Sequence, residues 1–398
     1  MRSIRLFDLL MGFSRALDMV TPLLAGHHLR VAFLSQVIAE RMRISRTTRK
    51  YMLMASMLHD IGAVPLKSDT RDLIFERNKA LHCRAGWAFC KTAGLPRPVC
   101  DMVLHHHTEW CSYEASDQHA LPANCIHMAD RVDVALRGKQ ASDLQSICLT
   151  LQAKDREYAQ ACLEALATLA HDSEISAFLN SHERMEEYLT TAFGSVILGP
   201  VQLVELCGLF SQTIDSKSPF TATHSLGVAY TARMLLRLTR MADADDLTTM
   251  FVAGLLHDIG KLAVPLEILE KPAALTPEEV QEIQKHAEIS MNLLGSIPGF
   301  TCVQEWGGRH HERIDGTGYP HKIEGSSLTL PVRIIAVADV FTALTEDRPY
   351  RSGMPLAEAM RIIASMAELG YLDKGVVALL ADNVLRVNKE RIRAQRKA

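Results

Sequence analysis

The sequence predicts an all-α fold arranged as two tandem helical domains, over residues 1–195 and 196–398, on three observations. Apolar residues recur three and four apart in segments such as HSLGVAYTARMLLRL (224–238) and AEAMRIIASMAELG (357–370), the spacing of one buried helix face. Strand-like alternation and βαβ spacing are scarce. The chain also repeats itself. IRLFDLLMGFSRALDMVTPLLAGHHLRVA (4–32) lies over VQLVELCGLFSQTIDSKSPFTATHSLGVA (201–229) without a gap, at an offset of 197, so that Asp18 meets Asp215, Pro22 meets Pro219 and His27 meets His224. Solenoids repeat every ~20–50 residues, whereas one duplication at this length implies two domains.

Along the chain, the apolar start IRLFDLLMGF is interrupted by Arg5 and Asp8, which makes it an amphipathic helix rather than a membrane span. MLHDIGAVPL (57–66) then pairs with LLHDIGKLAVPL (255–266). Residues 141–190, rich in Ala, Leu, Glu and Gln, read as extra helices that close the first half. The joint falls at GSVILGP (194–200), where Gly and Pro separate two helical patterns.

With 48% hydrophobic and 22% charged residues, each half can bury its own core. A net charge of −3 gives no broadly cationic surface for duplex nucleic acid. Nine cysteines without a CxxC pair, and no secretion signal, point to reduced thiols in a cytoplasmic protein. No run approaches the ~18 apolar residues of a membrane span.

The chemistry lies in the histidines and aspartates. The second half carries His224, His257, Asp258, His286, His310, His311 and Asp339, and the first carries His27, His59, Asp60, His82, His106, His107 and Asp130 in the same order. Offsets between matched residues rise from 197 at the first pair to 209 at the last, so loops changed length while these residues stayed. A lone helical histidine is usually a surface or core residue, and His171 and His182 receive no role. A recurring set is different. Imidazole and carboxylate donors without cysteine favour iron, manganese or zinc. Seven donors exceed one ion, but suit two ions about 3.5–4 Å apart bridged by a carboxylate, with positions left for water and a phosphate oxygen. Asp258, directly after a histidine in mid-set, is the best bridge.

The second half resembles the HD-GYP family of bacterial cyclic dinucleotide phosphodiesterases through HDIGKLAVP (257–265), HHERIDGTGYP (310–320) and AVADVFTALTEDRPYR (336–351). The first half is similar to a degenerate HD domain of the same superfamily. The resemblance implies two HD-superfamily domains and metal-dependent attack of water on a phosphodiester. The implied substrate is cyclic di-GMP or 3′,3′-cyclic GMP-AMP, opened to the linear dinucleotide or cut again to mononucleotides. It implies two divalent ions, iron or manganese, one on His224, His257, Asp258 and Asp339, the other on Asp258, His286, His310 and His311. Lys261 matches the lysine that contacts the scissile phosphate, so Lys261 and Asp258 carry the catalytic role, while Arg313, Arg348 and Arg351 match substrate-binding positions. Family members use the surroundings of Gly318, Tyr319 and Pro320 to contact diguanylate cyclase domains, and a homodimer is compatible with the layout. Phe220 stands where some members place a glutamate for a third metal. Thr342 replaces a common Asp after DVF, at a position that is not a ligand.

The first half departs further. HDIGAVPL lacks the two residues Lys261 and Leu262, no GYP loop follows His107, and RVDVALRGKQ (131–140) has no DRPYR. An additional metal there is compatible with its donors, while its expected role is regulatory, dimerising or substrate-shaping. Two other functions compete: a catalytically weak nucleotide-sensing scaffold, and an HD-superfamily phosphohydrolase acting on another nucleotide. The second needs only a mononuclear His, His-Asp, Asp set, which His286, His310 and His311 exceed.

Overall fold

The computed structural model describes residues 3–20, 25–66, 79–139, 143–154, 156–218, 223–347 and 352–396. Among these the regular structure is helical, with one isolated bridge between Arg5 and Ile197. The all-α expectation therefore holds. Two compact units divide between Ile197 and Leu198, with the start of the chain through Ile4 grouped with the second.

In the first unit, helices Leu6–Asp18, His27–Arg41, Arg46–Leu58, Lys79–Thr92, Arg97–His105 and Ala120–Leu136 precede four more between Leu144 and Phe193. His27–Arg41 packs against both Arg46–Leu58 and Ala120–Leu136. Its core includes Phe13, Phe33, Leu34, Ile38 and Met52, all fully buried.

The second unit repeats the plan with Pro200–Ser216, His224–Leu238, Ala244–Leu256, Pro277–Gly295, Thr301–Gly308 and Leu330–Thr345, then adds Leu356–Glu368 and Lys374–Gln395. His224–Leu238 is central, packed on Ala244–Leu256, Leu330–Thr345 and Lys374–Gln395. Local sequence fixes the helix starts. Thr276 accepts a hydrogen bond from the Glu279 N–H while the Glu279 carboxylate accepts from the Thr276 N–H, ahead of Pro277 in the first turn. Asp243 and Asp246 form the same reciprocal cap for Ala244–Leu256.

After each His-Asp pair the chain makes a tight 3₁₀ turn, Ile61–Leu66 in the first unit and Ile259–Ala263 in the second. Each turn lies directly on the backbone of the helix that carries the next histidine. A Cβ at Gly260 would sit 2.1 Å from the His286 carbonyl oxygen, and one at Gly62 2.1 Å from that of His82. Glycine is required there because backbone, not a movable side chain, occupies the space. Gly260→Ala should therefore destabilise the protein by about 1–3 kcal/mol, the range for overpacking a closed interior. Denaturant unfolding of the variant measures this, and an unchanged midpoint would refute the close approach.

Candidate metal centres

Helix ends place most of the donors. His27 and His224 open their helices, while His59, His106 and His257 are C-cap residues and His310 follows the C-cap Arg309. A helix end leaves carbonyls without intrahelical partners. The histidines use them: Nδ1 of His257 donates to the Gly254 carbonyl at 2.8 Å and Nδ1 of His310 to that of Gly307 at 2.6 Å. His59 and His106 do the same with Ser56 at 2.8 Å and Val103 at 2.7 Å. His286, in mid-helix, donates to Ile283 at 2.6 Å. A carbonyl can only accept, so each of these rings donates its Nδ1–H there and turns Nε2 inward. That is the orientation of metal-ligating histidine.

In the second unit all seven expected residues converge. Donor atoms of His224, His257 and Asp339 form one group, those of His286, His310 and His311 a second, and Asp258 joins His257 and His310 in a third. Asp258 Oδ1 lies 3.3 Å from His286 Nε2 and 3.7 Å from His310 Nε2, and its Oδ2 lies 3.1 Å from His257 Nε2. His257 Nε2 and Asp258 Oδ1 are nevertheless buried without a hydrogen-bond partner. Such orphaned groups are costly, and acceptors that face one another fit a cation between them. The donor set therefore suits divalent ions, with Asp258 placed between the two groups.

Charge in the cluster is finely divided. Burial alone would raise the Asp258 carboxyl, but His257 and Lys261 hold it well below the usual carboxylate range. Burial also opposes protonation of His224, yet its bonds to Asp339 (3.0 Å) and Glu346 (3.1 Å) raise it to about 10. His311 is the reverse: burial, with His286 nearby, pushes it down to about 3 against the pull of Asp339. Lys261 Nζ donates to Asp258 Oδ2 at 2.5 Å, from the 3₁₀ turn.

Not every expected residue joins. Arg313 lies on the loop after the histidines, with its guanidinium 4.1 Å over the Tyr371 ring and 3.4 Å from the Thr317 hydroxyl. It belongs to none of the donor groups. Arg348, Arg351 and Phe220 lie outside the described residues. Tyr319 of the GYP loop reaches the cluster, its ring 4.6 Å from that of His311.

The first unit assembles its seven counterparts as well: Asp60, His82, His106 and His107 form one group, and His27, His59 and Asp60 another. Asp130 faces His27 Nε2 at 3.5 Å. Two differences set this centre apart. Its outer donors are sealed, with the side chains of His107 and Asp130 only 4% and 3% exposed, against 28% and 14% for His311 and Asp339. Arg131 also binds the Asp130 carboxylate at 2.7 Å, with its own side chain 13% exposed.

Sequence reasoning missed the carboxylates that orient the opening histidines. Glu346 holds His224 Nδ1, and Asp133 holds His27 Nδ1 at 2.7 Å. A helical signal exists for both. Asp133 follows Asp130 by three on one helix face, and Glu346 follows Asp339 by seven, at the C-cap of the helix that carries it.

Two helical units, each closed around an imidazole and carboxylate cluster after an HD pair, define a tandem HD-domain protein. Two families, both described as HD domain, match at residues 24–135 and 208–376. A 3′3′-cGAMP-specific phosphodiesterase 1 from Vibrio cholerae is 32% identical over 394 residues, covering 93% of this chain and 90% of that protein. A cyclic di-GMP phosphodiesterase from Thermotoga maritima is 38% identical over 181 residues, 45% of this chain and 48% of that one. The solved structure of a cyclic GMP-AMP specific phosphodiesterase of V. cholerae, V-cGAP3, shares the fold at a TM-score of 0.65 and 22% identity, covering 96% of this chain and 98% of that one. The chain belongs to the HD-GYP family of metal-dependent cyclic dinucleotide phosphodiesterases. No described helix is long and apolar enough to cross a membrane.

A metal-free His224 with a folded pKa of about 10 is protonated at pH 8, whereas a ligand Nε2 must be bare. Its contribution to the stability of the metal-free protein is full below the unfolded value of ~6.5 and disappears as pH rises through the folded one. Loading a divalent ion at pH 8 should thus release about one proton from the second unit. Titration calorimetry in two buffers of different ionisation heat reads this, and identical heats would contradict it.

Proposed function

We propose that the second half hydrolyses a cyclic dinucleotide, with 3′,3′-cyclic GMP-AMP the preferred substrate, and that the first half does not turn over. The observation that carries this is the asymmetry of two otherwise matched clusters. The second is open at His311 and Asp339 and has Lys261 on its central carboxylate. The first is sealed, and its turn has no lysine. The preference for the hybrid dinucleotide is supported by the relative that spans both halves, whose name specifies cGAMP.

In this reading His224, His257, Asp258 and Asp339 hold one divalent ion and Asp258, His286, His310 and His311 the other; the nitrogen and oxygen donors suit iron, manganese or zinc, and the resemblance to the HD-GYP family favours iron or manganese. When bound, such ions supply a water of lowered pKa and neutralise charge at the phosphodiester. The protein's own groups then act around it. Asp258 orients both donor groups. Lys261, held as an ammonium by Asp258, is placed to donate to a phosphate oxygen as negative charge grows there. Tyr319 offers a ring beside His311 at the open side, where a base or ribose can pack. Arg313 stands on the same loop, and Arg348 and Arg351 complete the set of guanidinium groups suited to the second phosphate. Water adds at phosphorus, one P–O bond of the ring breaks, and the leaving ribose oxygen takes a proton, which gives the linear dinucleotide.

The first half would keep its donors for a tightly enclosed metal and serve as a regulatory or dimerising partner. The test separates the halves. The double variant His257→Ala, Asp258→Ala should lose at least ~10³-fold in turnover, a loss typical when a charge-stabilising site is dismantled. His59→Ala with Asp60→Ala should keep hydrolysis within about tenfold while lowering metal content. Anaerobically purified protein, its metal quantified, would be followed with cyclic di-GMP and cyclic GMP-AMP side by side. The opposite pattern of losses, or bound metal with no product from either nucleotide, would overturn the reading.

A further inference from the structure

Lys217 stands just past the helix Pro200–Ser216, and its ammonium donates to three backbone carbonyls, those of Lys261 at 3.1 Å, Leu262 at 2.6 Å and Val264 at 2.6 Å. These three carbonyls belong to the 3₁₀ turn Ile259–Ala263 and its C-cap Val264, the turn that presents Lys261. A short helix gathers partial negative charge on its last carbonyls. The Lys261 carbonyl also accepts from the Val264 N–H at 3.1 Å, and an ammonium, with three donors and no acceptor, can bond to it and to the other two at once. Among the described residues, the hydrogen bonds of the Lys217 ammonium go to this turn.

The comparison between the halves makes the contact specific. Lys261 and Leu262 are the two residues by which the second turn exceeds the first, and Lys217 reaches the carbonyls of both. At the matched position in the first half stands Val20, which has no side-chain donor. A turn without the inserted lysine does without the clamp. Burying an ammonium stem merely to pack a turn would be an expensive choice, since an apolar residue suffices in the first half.

We propose that Lys217 is a positioning residue for hydrolysis: it fixes the inserted turn so that Lys261 is held on Asp258 and aimed at the phosphate. The inference rests on the role given to Lys261 under Proposed function. A misplacement of about 1 Å at a reacting group can cost ~100-fold in rate. Lys217 touches neither donor group and so differs from a ligand in what its loss should do.

The test uses the full chain with Lys217→Met, Lys261→Met and the double variant. Four readings are made: metal content, kcat and KM on a cyclic dinucleotide, and hydrogen exchange of the segment 259–264. Lys217→Met should exchange this segment faster and lower kcat by about 10–100-fold, with KM within about threefold and metal content unchanged. In the Lys261→Met background the same substitution should add nothing, because both changes act through one group. If Lys217→Met does not fold, Lys217→Gln, which keeps one donor, should show a smaller loss that again vanishes in the Lys261→Met background. Losses that multiply, a loss of metal parallel to the loss of rate, or unchanged exchange would each overturn the proposal. Faster exchange together with a Lys261→Met enzyme as active as the wild type also overturns it, and locates the fault in the role of Lys261 rather than in the clamp.

Discussion

Everything in both units depends on one arrangement: bare imidazole nitrogens aimed at a buried carboxylate. In the second unit the carboxylate is Asp258, and in the first it is Asp60, with His59, His82 and His106 Nε2 at 3.2, 3.6 and 3.7 Å. Packing alone does not produce such a geometry. Several lone pairs meeting in a dry interior repel one another unless a proton or a metal ion lies among them. Without metal, the structure holds protons on the opening histidines His27 and His224, raised to about 9 and about 10 despite burial, and on His106, which the Cys83 thiol and Asp60 raise well above its ordinary value despite burial. Folding and metal loading are therefore linked through these side chains.

The fold serves this arrangement with few devices. Helix C-termini offer carbonyls that fix the Nδ1 proton, a glycine lets the 3₁₀ turn reach the next helix, and an acidic helix face supplies both an inner aspartate and an outer carboxylate. Glu346 is in turn held in the second unit's last layer. Arg391, buried on Lys374–Gln395, donates to the Thr345 carbonyl at 3.1 Å, and Gln395 donates to that of Thr223 at 3.0 Å. The final helix thus clasps the start of His224–Leu238 and the end of Leu330–Thr345, the two segments that carry His224 and Glu346. The resulting His224 to Glu346 bond orients the ligand ring from outside, as second carboxylates commonly do at metal sites.

Much of this was legible in the sequence because the signals were redundant. The helical period, the duplication and the recurring His and Asp order each pointed to the same fold, and all fourteen candidate donors lie in two clusters. What escaped was of another kind. Glu346, Asp133 and Lys217 act on groups distant in sequence, through a single side chain each, and the helical spacing of the first two from Asp339 and Asp130 is one that many solvated charges share. Arg313 is a different case. Its place in a recognisable motif suggests a phosphate contact, and in the folded chain its guanidinium lies over Tyr371. Motif membership fixes the neighbourhood of a side chain; its direction depends on the tertiary surroundings.

The two clusters also show why a donor set is not yet a hydrolase. Both present the same residue types in the same order, so the donor list does not separate them. Access and charge do. A phosphodiester must reach a donor group from solvent, and only the cluster at His311 and Asp339 has exposed edges of that kind among the described residues. The phosphate also needs a cation that is not already neutralised by a structural partner. In the first unit Arg131 is spent on Asp130, and Arg30 pairs with Asp133. In the second, Lys261 bonds one oxygen of Asp258, a carboxylate that would be shared with a bound metal, so the ammonium keeps donors for substrate. Two inserted residues therefore change more than a turn length: they place a cation on the carboxylate that His257, His286 and His310 face.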